Sequence, residues 1–142
     1  MTDKKEALEE FLGCEVEEST YDDDTFESEN GDEYLVLTDR EADKKAREYI
    51  LDSLWAFNAD FILAHSTAFE NLTDWESDEA IKSLSEMQGK LCESANGLVR
   101  CLIADIEEFV ADAISEDGRG HFLSFYDGNE IDLGNGLFAY RQ

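Results

Sequence analysis

Residues 18–34 read ESTYDDDTFESENGDEY, eight carboxylates in seventeen positions without one Lys or Arg. This stretch is the local extreme of a general imbalance. The 142 residues hold 36 acids against 11 bases, a formal net charge of −25 at pH 7. Any compact fold of this chain must put nearly all its carboxylates outside and bear their mutual repulsion. The resulting field disfavours nucleic acid and anionic lipid as direct partners and favours cationic surfaces.

The charge is unevenly spread. Residues 1–33 carry fourteen acids and two bases, and residues 76–117 carry eleven and three. The intervening 34–75 hold eight and four, while 118–142 are close to neutral with three and two. A surface made acidic only for hydration in salt would be flatter. Six lysines and a rich supply of Leu, Ile and Phe also argue against that origin.

An apolar share of 42%, with 11% aromatics, is enough to build a core and excludes a disordered acidic tail. The length fits a single domain, 1–142, with an acidic and partly flexible leading segment over 1–33. No apolar run approaches the roughly 20 residues of a membrane span. MTDKKEALEE lacks the apolar segment of a secretory signal. Cys14, Cys92 and Cys101 form an odd set without CxxC spacing, read as free thiols of a reducing cytoplasm. Cys92 and Cys101 are expected in the core or half-buried.

Periodicity predicts a short amphipathic helix from Asp3 to Leu12, stopped by Gly13. Residues 14–33 read as an acidic loop, with room for a short strand near Cys14 to Glu18. YLVL, from Tyr34 to Leu37, is a strand. Thr38-Asp39-Arg40-Glu41 is a capping box opening a helix over 39–57. FILAHS predicts a second, short helix, and Thr73 to Ser77 starts another that runs to about Met87. The longest helix is predicted from Lys90 or Ser94 through Glu116, with Ala95, Leu98, Val99, Leu102, Ile106, Phe109, Val110 and Ala113 as its apolar stripe and Gly118 as its stop. Residues 130–133 and 137–141, around Gly134-Asn135-Gly136, form a hairpin that YLVL joins. The class is α+β, with three to five helices on a small antiparallel sheet.

The chain offers little for chemistry. Arg119, His121 and Asp127 could be imagined as a catalytic loop, but no nucleophile or phosphate-binding glycine loop accompanies them. Asp22, Asp24 and Glu33 begin a calcium-loop pattern that fails at Phe26, where a ligand is due, and at Glu27, where the turn needs glycine. No zinc spacing is present. The expectation is therefore a non-enzyme with no metal or cofactor. Trp55, Phe57, Phe61 and Phe69 read as core aromatics.

The acidic residues carry more information. On the long helix Asp105, Glu108, Asp112 and Glu116 follow at steps of three, four and four, an outward line opposite the apolar stripe. At 1.5 Å rise per residue the charges stand ~4.5–6 Å apart. Like charges so placed destabilise a helix by a few tenths of a kcal/mol per pair. Asp22, Asp23, Asp24, Glu27 and Glu29 form a second group. Duplex DNA presents one phosphate per ~1.7 Å of axis and is held largely by Lys and Arg. Rows of carboxylates can answer the same basic groove, with similar salt dependence and fast association.

The blocks YLVLTDREADKKAREYILDSLWAFNADFI and DGRGHFLSFYDGNE, with the terminal YRQ, resemble a group of small acidic bacteriophage proteins. The resemblance runs from Tyr34 to the end and brings no catalytic motif. It implies, by analogy of class, a counter-defence role in the cytoplasm of a bacterial host, such as that of anti-CRISPR and anti-restriction DNA mimics. The expected function is a non-enzymatic inhibitor of a basic nucleic-acid-binding protein or complex. The alternative is an interaction module that binds through Phe122, Phe125 or Tyr126, its charge serving solubility.

Overall fold

The computed structural model describes residues 3–142, apart from the side chain of Ala68. Among them the fold is α+β, with seven α-helices, three short 3-10 segments and a five-stranded antiparallel sheet. They gather into two compact units, one of residues up to Arg47 with Ile114–Gln142 and one of Glu48–Ala113.

In the first unit α1 (Lys4–Leu12) starts on Asp3, whose carboxylate accepts the N–H of Lys5 at 3.0 Å. It ends at Gly13, whose φ of 72° is the left-handed conformation that glycine adopts without penalty. The strands are β1 (Val16–Glu18), β2 (Thr25–Ser28), β3 (Glu33–Thr38), β4 (Ile131–Gly134) and β5 (Leu137–Arg141), in the order β1-β2-β3-β5-β4. Alternation decides what each face carries. Val16, Phe26, Tyr34, Val36, Leu137 and Ala139 pack with Ala7 and Leu8 of α1. Leu35, Leu37 and Tyr140 point the other way and are equally buried, which is why YLVL is apolar throughout.

The predicted hairpin is present as β4 and β5, with Asn135 and Gly136 at φ 55° and 77°. The predicted acidic loop, by contrast, holds two strands. β1 falls where a short strand had room, and β2 is an addition that the Asn30-Gly31 turn makes possible: the N–H of Gly31 meets the Ser28 carbonyl at 3.0 Å, and that of Ser28 meets Asp32 at 2.8 Å.

Helix α2 (Asp39–Asp52) opens on the predicted capping box: Thr38 Oγ1 accepts the Glu41 N–H at 3.2 Å, and Glu41 Oε1 accepts the Thr38 N–H at 3.0 Å. It stops at Asp52, short of the predicted 57, and a 3-10 turn Leu54–Ala56 follows. The Gly118-Arg119-Gly120-His121 segment, read as a loop, enters the short helix α7 (Arg119–Leu123).

The second unit contains α3 (Ala59–Ala64), α4 (Asp74–Leu91), α5 (Asn96–Leu102) and most of α6 (Ile106–Asp117). The 3-10 segments Thr67–Asn71 and Cys92–Ala95 join α3 to α4 and α4 to α5. Thr73 and Glu76 form a full capping box at the start of α4, which outruns the predicted end at Met87. The predicted long helix is broken into α5 and α6. Asp105 is the cause: its carboxylate accepts the N–H groups of Glu107 and Glu108 at 3.1 and 3.2 Å and so restarts the helix. The N–H of Ala104 leaves the helical ladder for the carbonyl of His65, at 2.9 Å. The break shifts the phase of the stripe, and Leu98, placed in the core by periodicity, is 54% exposed.

Phe57, Phe61 and His65 pack against the buried Phe109 in T-shaped arrangements, with ring centroids 5.0–5.2 Å from it. Buried Gln88 donates to the carbonyls of Trp55 and Phe57 at 2.8 and 2.6 Å. Cys92 and Cys101 are exposed, against expectation, and Cys14 is half-buried. No described helix is long and apolar enough to cross a membrane.

Candidate functional site, an acidic sheet face

Strand pairing does to the leading segment what its composition alone does not reveal. Glu17 of β1 lies directly opposite Glu27 of β2, and Glu27 directly opposite Glu33 of β3. Directly opposed residues share a face with Cβ atoms ~4.5–5.5 Å apart. Three exposed glutamates therefore stand in one row across three hydrogen-bonded strands. At such spacing adjacent charges repel by about 0.8 kcal/mol in water before screening. Among the described residues, none of the three carboxylates has an ion-pair partner.

Beside this row lies a groove of about 750 Å³ lined by Glu9, Glu15, Glu17, Glu27 and Glu29, with Lys5 as its one basic residue. Glu9 also has a local task, accepting the N–H of Val16 on the outer edge of the sheet at 3.1 Å. The charges flanking β1 suit an edge that must not pair indiscriminately.

The predicted residues take different places. Asp22 and Asp23 are exposed between β1 and β2, and Glu27 and Glu29 reach the groove. Asp24 is structural: with φ at 62°, its carbonyl accepts the Val36 N–H at 2.9 Å and its carboxylate holds Lys4 at 2.9 Å. On the helices, Glu108, Asp112 and Glu116 occupy exposed positions one turn apart on α6. Asp105 belongs to the cap, and Asp112 meets His65 Nε2 at 3.1 Å. Sequence reasoning missed Glu17 and Glu33, because only strand register sets them beside Glu27: the β1–β2 pairing for Glu17, and the β2–β3 pairing across Asn30-Gly31 for Glu33.

Acids that hold the fold together behave differently, because each has a base. Lys4 reaches Glu41 at 2.8 Å as well as Asp24. Arg141 meets Asp32 at 2.7 Å and stacks on the Tyr126 ring at 3.7 Å. Arg119 meets Asp39, Asp43 and Glu130 at 2.8, 3.1 and 2.8 Å, over the ring of Phe138. Burial alone would lower the pKa of Arg119, and its hydrogen bonds to Glu130 and Asp39 more than reverse that. Tyr140, hydrogen-bonded to Glu130, is raised by burial and by that carboxylate.

Among the described residues, no hydrogen bond or ion pair joins Arg119, His121 and Asp127. Asp127 builds a turn, accepting the Asn129 N–H at 3.0 Å and the Ser124 hydroxyl at 2.9 Å, and these bonds hold its carboxyl below the usual range. The ring of His121 stands edge-on to Phe122. Also among the described residues, no three of His, Cys, Asp and Glu converge as metal ligands. Phe122 is buried, which removes it from the predicted aromatic surface, whereas Phe125 and Tyr126 are 66% and 62% exposed. No protein family, curated protein or solved structure matches the chain.

Proposed function

We propose that this chain is a non-enzymatic inhibitor that occupies a basic nucleic-acid-binding site on another protein, its carboxylates standing in for phosphates. The observation that carries the reading is the Glu17, Glu27 and Glu33 row, three unpaired charges set side by side by strand register. In the same unit Lys4, Arg119 and Arg141 go to other acids. A fold that needed only solubility would gain from a lysine in that row. The role fits a counter-defence protein of the anti-CRISPR or anti-restriction kind, acting in a bacterial cytoplasm on a defence complex.

Capture of DNA-binding proteins from a bacterial lysate tests this. Retained proteins should be released by salt, with affinity falling linearly on a log–log scale, and by added duplex DNA. The triple variant Glu17→Lys, Glu27→Lys, Glu33→Lys should lose capture, and Glu108→Lys with Asp112→Lys reports on α6. Retention indifferent to both salt and duplex DNA overturns the reading. If that retention were lost on Phe125→Ala, the exposed Phe125 and Tyr126 would be the contact instead.

A further inference from the structure

We propose that a groove in the second unit, where the turn Leu54–Ala56 meets α4, receives one arginine side chain of a partner protein. That a partner brings the arginine rests on the function proposed above; the fit of the groove to a guanidinium does not.

The groove measures about 310 Å³, and Trp55, Phe57, Asn58, Ser85, Gln88 and Gly89 are among its walls. Gln88 is the buried polar side chain of this set, 6% exposed. Its Nε2 donates to the carbonyls of Trp55 and Phe57 at 2.8 and 2.6 Å. Those two bonds fix the amide, because turned over it would set its oxygen against two carbonyl oxygens. Oε1 therefore points away from both carbonyls. Among the described residues no donor reaches it, yet none of their sealed side-chain polar atoms lacks a partner, so Oε1 opens on the groove that Gln88 lines. A nearly buried amide thus holds out one unused acceptor. The walls beside it are held in place: the Trp55 N–H donates to Asn96 Oδ1 at 2.8 Å, Asn96 Nδ2 donates to the Asp52 carbonyl at 2.7 Å, and the Phe57 ring packs on Phe109.

An acceptor beside aromatic side chains calls for a donor, and the surroundings make that donor cationic. Trp55 and Phe57 are half-buried, and aromatic faces attract cations. Residues 48–113 carry fourteen acids against three bases, a field that draws cations and refuses anions. The volume lies at the lower end of the roughly 300–1,000 Å³ of ligand sites, on the scale of a single side chain. A planar guanidinium can lie on a ring while one of its N–H groups reaches Oε1, whereas an ammonium is a strongly hydrated point charge. Proteins that grip nucleic acid present such arginines to the phosphates.

The test titrates the full labelled chain with N-acetyl-arginine amide, followed by NMR at the Gln88 side-chain amide and the Trp55 indole N–H. Both signals should shift along one saturable curve. The citrulline counterpart, neutral and of the same shape, should bind about two- to fivefold more weakly, the worth of a cation on an exposed aromatic face. The norleucine counterpart should leave Gln88 unmoved. Gly89→Leu should abolish the response. A Cβ at Gly89 meets nothing within 4 Å, so the larger side chain enters the groove without disturbing the fold, and a thermal melt checks that. Ser85→Leu, one turn earlier on α4, is the second block should Gly89→Leu melt early. Gln88 signals that ignore the blocked arginine overturn the proposal. So does a response that norleucine reproduces, that citrulline equals in affinity, or that a folded blocking variant retains. A response to free arginine but not to the blocked residue overturns the partner's part, since a chain arginine carries both amides. Capture indifferent to salt and duplex DNA sinks the proposed function and the partner with it, while the Gln88 titration reads the guanidinium site independently.

Discussion

The guanidinium of Arg119 meets the carboxylate of Asp39 at 2.8 Å across eighty residues of chain. The same group reaches Asp43 and Glu130 and covers Phe138, so one side chain ties α2, α7, the approach to β4 and the face of β5. Its side chain is 11% exposed, while Asp39 and Asp43 are mostly in water. Removing it leaves Glu130, the least exposed of its three carboxylates, without its cation. Arg119→Ala should cost about 1.5–3 kcal/mol, the range for hydrogen bonds to charged groups, and Arg119→Lys should recover only part because lysine lacks the planar fork. Urea unfolding checks this as a lower midpoint at unchanged slope.

Gly120 sits in closer quarters than its neighbours. A Cβ there would stand 2.5 Å from the carbonyl oxygen of Gly128 and 2.7 Å from backbone atoms of Asn129 and Glu130. These are main-chain atoms of the turn that Asp127 holds, and they cannot swing aside. Gly120→Ala should destabilise by about 1–3 kcal/mol, as overpacking does. Gly97 has nothing within 4 Å of its would-be Cβ, and Gly97→Ala on α5 should stabilise by up to about 1 kcal/mol. Opposite signs in a pair of thermal melts are the expected result.

Glu41 gives the acid side of the stability profile. Its pKa is depressed from the ordinary 4.5, first by the hydrogen bond from Lys4 and next by the N–H of Thr38. A carboxylate held below its unfolded value stabilises the native state above about pH 4.5, and that contribution is lost as the pH falls through the lower native value. The difference in unfolding free energy between wild type and Glu41→Gln should be flat from pH 7 to 5 and shrink below that. A difference that grew on acidification would contradict the assignment.

Where local pattern decides structure, the sequence is legible. Thr38 with Glu41 and Thr73 with Glu76 announce helix starts, Gly13 and Gly118 announce stops, and Gly134-Asn135-Gly136 announces a hairpin. Misreadings arise where one polar side chain overrides a periodic stripe. Asp105 is followed by Glu108, a restart signal inside apolar spacing, and the stripe masked it. The β2 sequence TFES contains one apolar residue, and acids are depleted in strands, so propensity argued for a loop. Only the Asn30-Gly31 turn betrayed the pairing. The glutamate row was illegible for a deeper reason, since adjacency across strands depends on register between segments.

That register makes Glu27 the most informative single position. It has Glu17 on one side and Glu33 on the other, so a neutral residue there relieves two repulsions at once. Like charges directly opposed in a sheet are destabilising, on the scale of a few tenths to 1 kcal/mol per pair. Glu27→Gln should therefore raise stability by about 0.5–1 kcal/mol at low ionic strength, with the gain fading as salt screens the row. If the row is a contact surface, the same change should weaken capture of a cationic partner several-fold. Stability and binding then move in opposite directions, as expected where charge is kept in place against the interest of the fold. A Glu27→Gln protein that was more stable and bound as well as the wild type would leave the repulsion without a use on this face.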